Sequence, residues 1–286
     1  MLKLTSPSTI KYIMDKYNFR FSKSLGQNFL IDEQIIDRIC DGADIGPDDD
    51  VLEIGPGIGV LTMAMAQRAR KVVAIEIDRA LIPVLKETLE ECDNVEVIHG
   101  DVLKVDLKAL IAEKFEGRKP KVVANLPYNI TTPIIMMFLE EQIPVSDIVV
   151  MIQKEVAERI SAVPSTKAYG ALSVATQYYS EPRIIAKVPR TVFMPAPNVD
   201  SIVIRMTIRE KAPVELENPT LFFKVVKAAF GQRRKTLHNA LNAGGFGQSK
   251  DQTAEFLRAC DIDPSRRGET LNIQEFATLA NYINNA

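Results

Sequence analysis

Tryptophan is absent from this 286-residue chain, histidine occurs twice and cysteine three times. Cys40, Cys92 and Cys260 lie far apart with no C-x-x-C pair, and the histidines are only His99 and His238. That pattern offers no ligand spacing for structural zinc and no disulfide framework, and it suits a reducing cytoplasm. Long apolar runs are missing as well. No stretch approaches the roughly 20 residues that cross a bilayer, so no membrane association is expected. The N-terminus, MLKLTSPSTIKYIMDKY, has neither a long apolar core nor a small-residue cleavage site, so no signal peptide is expected. What is present is 46% hydrophobic and 25% charged residues, the mix of a soluble chain with a real core.

The net charge of −2 is unevenly placed. Residues 1–31 carry +4, residues 32–120 carry −9, and residues 183–286 carry +5. An acidic middle argues against a duplex wrapped around the whole protein, whereas basic ends can flank one nucleic-acid groove. Between residues 218 and 250 there are six bases and no acid, among them Lys224, Lys227, Arg233, Arg234 and Lys235. A solvated helix face usually mixes signs, so this run reads as RNA phosphate contact.

Short apolar runs at Val51–Ile54, Val72–Ile77, Val95–Ile98, Val122–Ala124 and Ile148–Ile152 alternate with helix-compatible segments. Runs of that kind are strands buried on both faces of a parallel sheet, and the alternation predicts a doubly wound, Rossmann-like α/β fold. Ser6-Pro7 reads as the N-cap and first position of an early helix, and Ile31, Ile35, Ile36 and Ile39 form one face of a second. Arg183–Val188 and Ser201–Ile208 are placed as an antiparallel pair at the sheet edge. After Lys211-Ala212-Pro213 only helical patterns remain. The chain is therefore divided into a catalytic domain, residues 1–208 with a basic segment at 1–31, and a small all-helical domain, residues 209–286.

Three elements in order describe a nucleoside cofactor. Glycines follow the first strand of the sheet in EIGPGIG, where Gly55 and Gly57 let a ligand approach the backbone. Glu76, twenty-one residues after Gly55, closes the next strand and can accept both hydroxyls of a ribose. Asp101 follows the third of these strands, where a carboxylate can meet an adenine amine. The third glycine of G-P-G-I-G-V is misplaced for a dinucleotide fingerprint, which disfavours NAD. Glu53, two residues before Gly55, suits a cofactor with an amino-acid end, and S-adenosylmethionine is the expected one, without a metal.

The fourth strand ends in Asn125-Leu126-Pro127-Tyr128. The amino group of adenine is a poor nucleophile because its lone pair is delocalised. The Asn125 amide oxygen and the Leu126 carbonyl can accept its two N–H bonds and favour a pyramidal nitrogen. Pro127 stiffens the turn, and Tyr128 offers a face for the base.

Together with Lys23-Ser24-Leu25-Gly26-Gln27-Asn28-Phe29-Leu30, these motifs resemble the ribosomal RNA adenine dimethyltransferases. Gln153–Arg159, Tyr169-Gly170, Phe193–Ser201 and Phe230–Leu237 extend the resemblance over nearly the whole chain, and the bacterial small-subunit members are the most similar. The resemblance implies a class I methyltransferase fold. It implies transfer of methyl groups from S-adenosylmethionine, leaving S-adenosylhomocysteine, to two adjacent adenosines in the 3′-terminal hairpin loop of 16S rRNA in the small ribosomal subunit. It also implies roles. Gln27, Asn28 and Leu30 would close over the cofactor, Asn125 would contact it as well as the target base, and Phe193 would cover the free face of that base. A monomer in the cytoplasm is expected. Two alternatives stay open: a large-subunit (23S) adenine methyltransferase of the macrolide-resistance type, disfavoured by Leu126 and by F-M-P-A-P-N-V-D-S, and a nucleic-acid-binding transcription factor on the same fold.

Overall fold

The computed structural model describes residues 3–22, 25–247 and 249–286. Lys23 and Ser24, which open the first motif above, lie outside the described residues. Contacts divide the chain into two compact units, residues 1–157 with 181–208, and residues 158–180 with 209–286.

The strands are β1 (Phe29–Leu30), β2 (Asp50–Ile54), β3 (Lys71–Glu76), β4 (Val95–His99), β5 (Lys121–Asn125), β6 (Asp147–Gln153), β7 (Ser180–Val188), β8 (Phe193–Met194) and β9 (Ser201–Ile208). Seven of them form one sheet in the order β4-β3-β2-β5-β6-β9-β7. The first five in that order pair in parallel, β9 runs antiparallel to β6, and β7 lies at the edge. Every residue of β2 is buried, and β5 is buried up to Asn125, which is why these strands read as unbroken apolar runs. Strand order reverses around β2, and this reversal leaves a crevice at the carboxyl ends of the strands.

The helix Pro7–Lys16 starts where expected, but Ser6 does not cap it: its hydroxyl pairs with Ser8 instead. The helix Glu33–Gly42 is capped by Asp32, whose side chain accepts from Ile35 N–H, and it buries Ile35, Ile36 and Ile39. Sequence reading missed β1 and β8. They pair antiparallel, Phe29 with Met194 and Leu30 with Phe193, and tie the N-terminal strap to the segment before β9.

The second unit is helical, with helices Ala171–Tyr179, Pro219–Gly231, Leu237–Ala243, Lys250–Ala259 and Ile273–Asn285. Its core gathers Phe222, Val226, Leu241, Leu257 and Phe276, and also Tyr169 and Val174. The linear boundary at residue 208 therefore needs correction, because residues 158–180 belong with the helices. The reason is aromatic packing: the Tyr178 ring lies 5.6 Å from Phe222 and 5.4 Å from Phe223, and Tyr169 lies 5.8 Å from Phe230. Such contacts bury large areas and outweigh chain order.

Candidate active site

A cavity opens at the carboxyl ends of β2, β3 and β5. Gly55 and Gly57 form its floor with φ of +68° and +62°, a region that side chains avoid. A Cβ on Gly55 would meet no atom within 4 Å, so the backbone there is open to a ligand. A Cβ on Gly57 would lie 3.0 Å from the Phe29 ring, so this glycine lets the strap close down.

Two acids face this cavity. Glu76 is 3% exposed; its Oε2 accepts from Gly57 N–H at 3.2 Å and its Oε1 from Asp78 N–H at 2.8 Å. Each oxygen keeps a further lone pair for a hydroxyl. Burial pushes the Glu76 carboxyl above its ordinary value, against the pull of those backbone donors. Glu53 is 2% exposed and accepts the Thr62 hydroxyl at 2.5 Å. Burial pushes its pKa up to about 8, with Thr62 opposing and the neighbouring Glu76 charge adding to the rise.

The strap forms another wall. Gln27 accepts from Ser22 N–H and donates to the Asp78 carboxylate, each at 2.8 Å. The Asn28 side chain donates to the Gly26 carbonyl at 2.9 Å, while its own carbonyl accepts from Asn125 Nδ2, also at 2.9 Å. That last bond orients the Asn125 amide: one N–H of its NH2 is used, and its Oδ1 has no partner among the described residues. Leu126 donates its N–H to Met151 at 3.3 Å. The Pro127 carbonyl accepts from both Ile130 N–H and the Thr131 hydroxyl, which locks the turn. Tyr128 lines the cavity, and its hydroxyl lies 2.8 Å from Ser201 Oγ.

Of the residues expected from sequence, Gln27, Asn28, Leu30, Gly55, Gly57, Glu76, Asn125, Leu126, Pro127 and Tyr128 line this cavity together. Asp101 and Phe193 do not. The Asp101 carboxylate is engaged in its own turn, accepting from Leu103 N–H at 3.1 Å and pairing with Lys104 at 3.4 Å. Phe193 is 4% exposed and packs in the core with Leu30 and Ile35, because pairing of β8 with β1 turns it inward. The ring supports the strap from behind. Sequence reading missed Ile77, 46% exposed at the cavity wall, and Asp78, the partner of Gln27. An apolar residue between two acids at a strand end, as in Glu76-Ile77-Asp78, is the signal that was available.

In the helical unit Lys224, Lys227, Arg234 and Lys235 are exposed. Arg233 is exposed as well, its side chain 52% so, and it also donates to the carbonyls of Lys167 at 2.7 Å and Tyr169 at 3.1 Å, with Glu269 at 3.9 Å.

Residues 18–285 match the sequence family described as ribosomal RNA adenine dimethylase. The chain belongs to this family. As an rRNA adenine dimethylase it is an S-adenosylmethionine-dependent enzyme. A curated relative from Alkaliphilus metalliredigens, "Ribosomal RNA small subunit methyltransferase A", is 60% identical over 283 residues, covering 99% of each chain. Among solved structures, a dimethyladenosine transferase from Plasmodium falciparum is 27% identical with a TM-score of 0.75, covering 88% of this chain and 95% of its own. The 23S rRNA methyltransferase ErmE is also 27% identical, with a TM-score of 0.69, covering 90% of this chain and 100% of its own.

The cavity of this dimethylase fits the cofactor. A glycine floor open to a ligand, two buried acids and the half-exposed Ile77 suit a molecule with ribose hydroxyls, positive centres and an adenine ring.

Proposed function

We propose that this chain dimethylates N6 of two adjacent adenosines in the 3′-terminal hairpin loop of 16S rRNA, acting on the small ribosomal subunit as it is assembled in the cytoplasm. The observation that carries the reading is the one-sided use of the Asn125 amide, whose NH2 bonds to the Asn28 carbonyl and leaves Oδ1 for a substrate donor. S-adenosylmethionine supplies a methyl group on a positive sulfur, already poised to leave. Glu76 would hold the ribose, with Gln27, Asn28 and Leu30 over the ligand and Gly55 and Gly57 beneath it. The Asn125 oxygen and the Leu126 carbonyl would accept the two N–H bonds of the target amine and draw its lone pair out of the ring. Tyr128 would stack the extruded base. Fixed acceptors aimed at the developing charge lower the barrier without a strong base, because the methylated amine becomes acidic and loses its proton to water.

A hairpin is not selected by a pocket of this size. The exposed bases Lys224, Lys227, Arg233, Arg234 and Lys235 are proposed to grip phosphates of folded RNA, as the run without acids in the sequence suggests. The small subunit is favoured over the large one because the relative with that name is 60% identical over nearly the full length, against 27% for the 23S enzyme.

The test is parallel methylation of naked 16S rRNA, small subunits and large subunits, with modified adenosines mapped. Two adjacent dimethyladenosines near the 3′ end of small-subunit RNA are expected. Preference for the large subunit would overturn the assignment.

A further inference from the structure

The motif Asn198-Val199-Asp200-Ser201 carries no role in the reading above, yet its last residue touches the site. Ser201 is 1% exposed, opens β9, and pairs with Gln153 at the end of β6. Its strand otherwise buries apolar side chains, Ile202, Val203, Ile204 and Met206. A hydroxyl at such a position costs stability unless it finds a partner. Among the described residues its only side-chain partner is the Tyr128 phenol at 2.8 Å.

We propose that Ser201 is a positioning residue that holds the far end of the Tyr128 side chain, and so the place of the ring against which the target adenine stacks. This rests on the reading of the Asn125–Tyr128 turn as the acceptor site. The first side-chain torsion of a tyrosine swings the whole ring between separate wells, and Tyr128 stands on a turn rather than on a regular element. Ser201, by contrast, is held by the ladder between β6 and β9. The residue before it is pinned twice: the Asp200 carbonyl accepts from Lys154 N–H, and its carboxylate accepts from Arg190 N–H, both at 3.0 Å. A rigid strand thus fixes the far end of a side chain whose near end is soft, which is how a support shell fixes a reacting group. Burial raises the Tyr128 pKa, the Ser201 bond opposes this, and the Asp200 charge adds to it, so the phenol stays protonated at neutral pH.

The experiment uses the full chain with small subunits as substrate and the variants Ser201→Ala, Ser201→Thr, Tyr128→Phe and the double variant Ser201→Ala/Tyr128→Phe. Stacking is read with a hairpin RNA carrying 2-aminopurine at the target position, whose emission is quenched against an aromatic ring. Ser201→Ala is expected to lower kcat roughly three- to tenfold, the scale of one lost hydrogen bond at a positioned group, with the cofactor KM unchanged. Its complex should be brighter than wild type, and Ser201→Thr should recover both readouts. In the Tyr128→Phe background, Ser201→Ala should cost nothing further, since the bond is already gone. Wild-type kcat and quenching in Ser201→Ala, or an equal loss in both backgrounds, would overturn the proposal. So would a loss that tracks the thermal midpoint alone. A wild-type chain that methylates no rRNA adenine overturns the acceptor-site reading and this proposal with it, whereas an active wild type with an unaffected Ser201→Ala overturns only this proposal.

Discussion

Asn125 has a donor end and an acceptor end, and the fold consumes only the donor, in its bond to the Asn28 carbonyl. Asn125→Ala should therefore lower kcat by about a hundredfold or more, the cost of removing an acceptor aimed at the reacting amine, while RNA binding stays within about twofold. Asn125→Asp should fail as well, because it sets two acceptors against each other. Single-turnover methylation with parallel binding assays checks both, and a normal rate in either variant would remove the amide from the chemistry. The second residue-scale consequence concerns pH. A carboxyl whose folded pKa is raised holds its proton more tightly folded than unfolded. The Glu53 contribution is then full below its ordinary value of 4.5 and is lost as pH climbs through about 8. Glu76 shifts in the same direction. Glu53→Gln keeps an acceptor for Thr62 but cannot ionise. Its thermal midpoint relative to wild type should climb between about pH 5 and about pH 9 when measured without ligand. A flat difference across that range would mean that Glu53 is not strained by burial.

At the scale of elements, β2, β3, β5 and β6 were legible because parallel strands covered on both faces leave unbroken apolar runs. Glu76 and Asn125 were legible for a related reason, since each ends such a run at a fixed place relative to the glycine turn. β1 and β8 were not. Two residues show no period, and their pairing depends on segments remote in sequence. Phe193 stood on the base only through the family resemblance, and its packing beside Leu30 depends on that pair. Ser201 and Asp78 escaped for the same kind of reason, since their partners are near only in space. The segment 158–180 was assigned by chain order, whereas its aromatics pack with the helices. Arg233 helps to hold that segment, bonding the carbonyls of Lys167 and Tyr169. Arg233→Ala should cost about 1 kcal/mol and a few degrees of thermal midpoint. Both bonds leave one guanidinium nitrogen, so Arg233→Lys, whose ammonium carries three donors, should recover part of the loss. Scanning calorimetry of both variants is the check, and an unchanged midpoint in Arg233→Ala would show that these bonds add nothing to stability.

For the whole molecule the decisive quantity is the distribution of charge rather than its sum. A net charge of −2 would disfavour any polyanion, yet residues 183–286 carry +5. Lys224 and Lys227 are exposed on the helix Pro219–Gly231 and can be reversed without touching the cavity. Lys224→Glu/Lys227→Glu should weaken small-subunit binding severalfold or more and flatten its dependence on salt, because fewer counterions are released. Cofactor affinity should be unchanged. Filter binding across a salt series, with calorimetry for the cofactor, reads both, and an unaltered salt slope would move the RNA surface elsewhere.

The pairing of β1 with β8 has a further consequence in time. This ladder is two residues long on each side, with one more bond from Ile31 N–H to the Val192 carbonyl at 2.9 Å. A ladder so short opens by local fluctuation far more often than the central strands, which unzip only with the whole sheet. In deuterated solvent the Ile31 amide should exchange well before those of β2 and β5, and S-adenosylmethionine, if it binds under the strap as proposed, should slow it selectively. If Ile31 proved as protected as the central strands without ligand, the strap would be a fixed wall, and the cofactor would need another way in and out.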